Sequence, residues 1–205
     1  MNLRTLARNA AATTAVLLVG APLATTTAQA AEAPACAKET LAYMEADDKA
    51  ADADRAVDSA QDAVAQSERD QQTLNQTVEH INDLYRAVTA GGSGPLDPAT
   101  QAHEALLKAR KAAEEGDAAG VADAADSAAA AGRQYLKAVP GVEPVEIATE
   151  DVEKDAPAAR KATTAKDLTA NRQKLEQAKK DAATASEAVL PARTAVKTCL
   201  QNATA

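Results

Sequence analysis

The sequence predicts an all-α fold: an antiparallel, up-down four-helix bundle whose long, coiled-coil-like first and last helices are closed by a terminal disulfide. Three observations carry this. Alanine supplies 56 of the 205 residues, beside abundant Glu, Lys, Gln and Asp, and no segment shows the alternating β-branched pattern of a strand. Larger apolar residues recur at steps of three and four. The two cysteines, Cys36 and Cys199, fall on the apolar seams of the first and last helices, one near a start and the other near an end.

Residues 1–30 read as a secretory signal peptide. Arg4 and Arg8 give a basic start, the stretch from Ala10 to Ala24 is apolar, and Ala28-Gln29-Ala30 supplies a small-x-small cleavage site. Thr13, Thr14, Gly20 and Pro22 interrupt the apolar part, which is too short and broken for a permanent anchor of roughly 20 apolar residues. No second such stretch exists, so no stable membrane insertion is expected. A lipoprotein reading of Cys36 fails on Ala33-Pro34-Ala35, which lacks the branched apolar residue that such a site needs. The remaining residues, 31–205, are expected to form one helical-bundle domain.

The first helix is expected over about 36–90. Stepping from Cys36 by three and four gives a seam through Tyr43, Ala46, Ala50, Ala53, Val57, Ala60, Val64, Leu74, Val78, Ile81, Tyr85 and Val88, with Glu39, Ser67 and Gln71 as polar exceptions. Of eleven larger apolar residues between Cys36 and Val88, eight lie on this seam, where two positions in seven would give about three by chance. The pattern stops at Gly91-Gly92-Ser93-Gly94-Pro95. Asp97-Pro98 then reads as an N-cap followed by proline at the first helical position, opening a helix over 98–115 with Leu106 and Leu107 facing inward. Gly116-Asp117 turns the chain into a third helix over 118–138, capped by Asp117.

From Pro140 to Pro157 three prolines and six acidic residues stand against the single base Lys154, which reads as an extended acidic linker over 140–157. The fourth helix is expected over 158–200. Its seam runs through Leu168, Leu175, Ala182, Val189 and Val196 at one heptad position and Asn171, Ala178, Ala185, Ala192 and Cys199 at the other. Pro191 is expected to kink or split it. At 1.5 Å per residue the outer helices reach about 80 and 60 Å and the middle two about 30 Å each. The middle pair therefore packs on the Val64 to Val88 half of helix one. The other half has only the last helix beside it, so a four-helix head continues into a two-helix, alanine-seamed stalk.

Export places both thiols where disulfides persist. An intermolecular bridge competes with an intramolecular one, and the registers that bring Cys36 and Cys199 together favour the latter. Closing so long a loop stabilises by at most about 5 kcal/mol in the chain-entropy model.

The net charge of −8 becomes −10 without the leader, which carries Arg4 and Arg8 and no acidic residue. That sign opposes nucleic acid and anionic membranes. Phe and Trp are absent and tyrosine occurs only at Tyr43, Tyr85 and Tyr135, leaving no aromatic platform for bases or sugars. His80 and His103 belong to no metal motif, Gly91 to Gly94 lacks the lysine and preceding strand of a phosphate loop, and no GxSxG occurs. Asp54, Asp58 and Asp62, with Asp47, Asp48 and Asp52 upstream, follow a helix face as a line. A divalent cation needs oxygens converging on a point. Asn75-Gln76-Thr77 and Asn202-Ala203-Thr204 match the glycosylation triplet, which matters only in a host that glycosylates. No catalytic residue, cofactor or metal site is therefore expected, and the chain does not read as an enzyme.

In composition and leader the chain is similar to small alanine-rich secreted proteins of high-GC bacteria. That resemblance implies a bacterial exported protein and carries over no activity. The function expected from the residues is a secreted, non-catalytic module for protein interaction or structure, outside the cell or on its envelope, with a protein partner or self-association. The acidic segment supplies the candidate surface: Glu143, Glu146, Glu150, Asp151 and Glu153. The alternative is a small-molecule or metal carrier with a pocket between the helices of the head, near Leu74, Ile81, Tyr85, Leu106, Leu107 and Tyr135.

Overall fold

A computed structural model describes residues 36–90 and 96–204; the expected leader, 1–30, lies outside them. The described residues form five α-helices, joined in one place by a 3-10 turn, with no strand among them. The first, α1, runs unbroken from Ala37 to Ala90, about 81 Å at the helical rise. It passes straight through Ser67 to Gln71. Its two halves differ as the lengths demand. Residues from Tyr43 to Ala60 on the seam are half-buried, whereas Val64, Ser67, Asp70, Leu74, Thr77, Ile81, Leu84 and Val88 are buried.

The second helix, α2, spans Leu96–Glu114. It begins before Asp97, so that carboxylate lies inside the first turn, facing the positive end of the helix dipole rather than capping it. The α2 end is closed by backbone bonds, and the Gln71 side chain of α1 also donates to the Ala113 carbonyl at 3.0 Å. Gly116 takes φ +67° and donates to Ala113, while Asp117 donates to Ala112, the paired bonds of a left-handed helix stop. Asp117 then caps the third helix, α3 (Ala118–Ala138), by accepting the Gly120 amide at 3.0 Å. This helix packs on α1, α2 and the segment that follows it. It does so through Val121, Tyr135 and a broad set of buried alanines, small enough for close approach on several sides.

The largest correction concerns residues 140–157. They form no extended linker: Glu143–Lys161 is a helix, α4, and it supplies the fourth member of the head. Pro144 stands in the first turn, where its missing donor has no intrahelical partner to lose. Pro157 sits inside the helix on its exposed side. Val145, Ala148, Thr149, Val152, Ala156 and Ala159 recur at three and four and are buried, while Glu143, Glu146, Glu150 and Glu153 face water.

The expected fourth helix over 158–200 is correspondingly two pieces. The chain breaks after Lys161, makes a 3-10 turn at Ala165–Asp167, and begins α5 at Leu168, which continues to Ala203. Pro191 lies within α5 without splitting it. The head is thus α1 (second half), α2, α3 and α4, and the bundle has five helices where four are expected. Its core holds Leu74, Ile81, Leu84, Val121, Tyr135, Val145 and Val152, each nearly or wholly sequestered.

The stalk pairs the first half of α1 with α5, antiparallel. No residue of α5 is fully buried. Those half-covered are Leu168, Asn171, Leu175, Ala178, Ala182, Ala185, Val189, Ala192, Val196 and Cys199, the heptad seam read from the sequence. A Cys36–Cys199 disulfide closes it across 163 residues with the Cα atoms 5.7 Å apart.

A polar knot joins stalk to head. Asp70 of α1, 7% exposed, accepts the Thr164 amide at 2.9 Å and the Thr164 hydroxyl at 2.8 Å, and on its other oxygen the Gln66 side chain at 2.8 Å. One carboxylate thereby fixes the point at which the chain turns from α4 into α5.

A candidate protein-binding surface

The acidic residues singled out in the sequence are distributed by helical geometry rather than along a flexible strand. Glu143 and Asp151, two turns apart on α4, border a cavity of about 410 Å³ between α4 and α1. Ala87 of α1 and Pro144, Ile147 and Ala148 of α4 make its apolar lining, and His80 and Asp83 of α1 complete the border. Ile147 is 55% exposed.

The other acids do not reach this groove. Glu146 and Glu150 stand on the exposed face of α4. Glu153 is engaged by Arg133 of α3. Lys154 lies 3.7 Å from both Glu150 and Asp151, too long for a hydrogen bond and consistent with weak surface pairing.

Sequence reasoning missed the contribution of α1. His80 Nδ1 and Asp155 Oδ2 approach to 2.7 Å, yet neither atom makes a hydrogen bond of good geometry, so the contact is one of proximity rather than a directed bond. His80 and Asp83 are neighbours of the acidic helix only because residues 143–161 are helical, a fact no local motif announces. The spacing Val145, Ala148, Val152, Ala156 was the available signal.

His103 is elsewhere, its ring 5.0 Å from that of Tyr85 at 45°. Among the described residues no group of three or more His, Cys, Asp or Glu side chains is placed to hold a metal ion. Asp54, Asp58 and Asp62 are exposed along α1, and Arg55 pairs with Asp52 beside them. Two charges are held away from their ordinary behaviour, both outside the groove. The Arg160 pKa is raised by the hydrogen bonds it donates to Asp126 and then Asp123, and that of Glu176 is lowered by the hydrogen bond it accepts from Lys179.

Of the residues expected around an internal carrier pocket, Leu74, Ile81, Leu106 and Tyr135 are each at most 2% exposed and fill the core. Tyr85 is half-buried and Leu107 is turned outward. Among the described residues no helix is long and apolar enough to cross a membrane. No family model, curated protein or solved structure matches the chain.

Proposed function

We propose that this chain is an exported, non-catalytic interaction module in which the stalk is a spacer and the head carries the binding surface. The observation that supports it is the α1–α4 groove. Pro144 and Ile147 lie open to solvent there, inside a border of carboxylates. Export rests on the leader read at residues 1–30 and agrees with a disulfide between the only two cysteines.

Affinity capture tests this reading. The oxidised chain, residues 31–205, and an E143Q/E146Q/E150Q/D151N variant are each presented to the envelope and culture fluid of the producing cell. A protein retained by the first and lost from the second supports the reading; equal retention, or none on repetition, contradicts it.

The carrier alternative draws on the same cavity, whose volume is at the lower end of the roughly 300–1,000 Å³ used by small-molecule sites. Only two helices bound it, so a free ligand would keep one side in water.

A further inference from the structure

We infer that the α1–α4 groove is a socket for an arginine side chain of a protein partner, presented next to an apolar residue; this rests on the interaction reading above. Three carboxylates border the cavity, Asp83, Glu143 and Asp151. Two of them carry only long, solvent-exposed ion pairs, and His80 borders the same cavity. Arg86 lies 3.9 Å from Asp83 and Lys154 3.7 Å from Asp151, and among the described residues Glu143 has no ion-pair partner. An anion would meet three like charges. A neutral occupant would strip water from those carboxylates without replacing it. The positive end of the α4 dipole opposes a cation, but it is equivalent to about half a charge and is already faced by Glu143 in the first turn.

The lining decides between kinds of cation. Ile147, Pro144, Ala148 and Ala87 offer apolar contact to a hydrocarbon stem and its neighbour, which a hydrated metal ion would not use. Guanidinium is planar, weakly hydrated and able to bridge two carboxylates, so arginine fits better than lysine. Glu146 and Glu150 continue the negative surface along α4 beyond the cavity. A basic peptide segment uses that extension and a single free amine does not.

The test is amide NMR titration of the oxidised chain, residues 31–205, with a blocked Leu-Arg-Leu peptide, its citrulline counterpart, and agmatine as the free amine. For the arginine peptide, the expected result is shifts confined to about residues 80–87 and 143–151. Affinity is expected to fall about tenfold or more with citrulline, with agmatine, and in a D83N/E143Q/D151N variant whose circular dichroism is unchanged. Absence of shifts at millimolar peptide overturns the inference, as does equal binding of the citrulline peptide or insensitivity to the variant. Agmatine binding as tightly as the peptide overturns the protein source. If the peptide fails while capture still retains a partner through the acidic face of α4, the socket is wrong and the interaction reading stands.

Discussion

Asn171 of α5 donates its side-chain amide to the Ser67 hydroxyl of α1 at 3.0 Å, and this bond lies where the buried core of the head gives way to the half-exposed seam of the stalk. Arg172 pairs with Glu68 one step along at 2.8 Å. A polar pair within an apolar seam fixes register, because any sliding of the two helices leaves the buried Ser67 hydroxyl facing methyl groups. N171A is therefore expected to cost about 1 kcal/mol in denaturant unfolding, and R172A, whose pair is exposed, less than about 1 kcal/mol.

The staple acts on the weaker half of the molecule. Because α5 packs on α1 and the 3-10 turn and buries no residue fully, only its half-covered seam and the disulfide hold its far end. C36S/C199S is expected to lower stability by up to about 5 kcal/mol if unfolding is all-or-none. Thermal melts are expected to show instead an early loss of helix from the stalk and a later transition from the head.

Asp70 is the joint between the two halves. Asp70→Ala removes the acceptor of the Thr164 amide and hydroxyl and is expected to destabilise by about 2–3 kcal/mol, more than a neutral hydrogen bond would. Asp70→Asn keeps the shape and one acceptor, and is expected to fall between wild type and alanine in urea titration.

Gly132 of α3 stands close against Thr149 of α4. A Cβ there would stand 2.2 Å from the Thr149 hydroxyl and 3.2 Å from Leu84 Cδ1. G132A is expected to cost about 1–3 kcal/mol despite alanine's better helix propensity. Adding T149A, which removes the facing hydroxyl, is expected to restore most of the loss, and a double-mutant cycle measures that coupling. G116A is expected to be at least as damaging. The position combines φ +67° with a backbone approach, Lys166 Cα and N lying 2.5 Å from the added carbon, and no side chain can yield there.

What the sequence made legible was whatever periodicity alone determines. The two long seams, their pairing in antiparallel register and the closing disulfide follow from residues three, four and seven apart, while the Asp117 cap and the division into head and stalk follow from the turn at Gly116 and the helix lengths. Residues 140–157 misled because their composition, with Pro144, Pro157 and six acids, argued against a helix, whereas the proline positions were permissive and the four glutamates lay on the watered side. A stripe led by Val145 and Val152, with alanine and Thr149 between, was masked by the frequency of alanine everywhere else. The groove was illegible for a related reason. Its border joins Asp83 to Glu143 and Asp151 across the fold, and only tertiary packing of α4 on α1 brings them together.

Hydrogen exchange of the protein, oxidised and then reduced, tests the account most directly. With the disulfide intact, amides of Ala148 to Ala156 are expected to exchange as slowly as those of Ala124 to Ala131, since both lie in buried helices of the head. On reduction, 37–60 and 175–203 are expected to exchange much faster while the head is unchanged. Fast exchange across 143–157 in the oxidised protein, or a stalk indifferent to reduction, would contradict it.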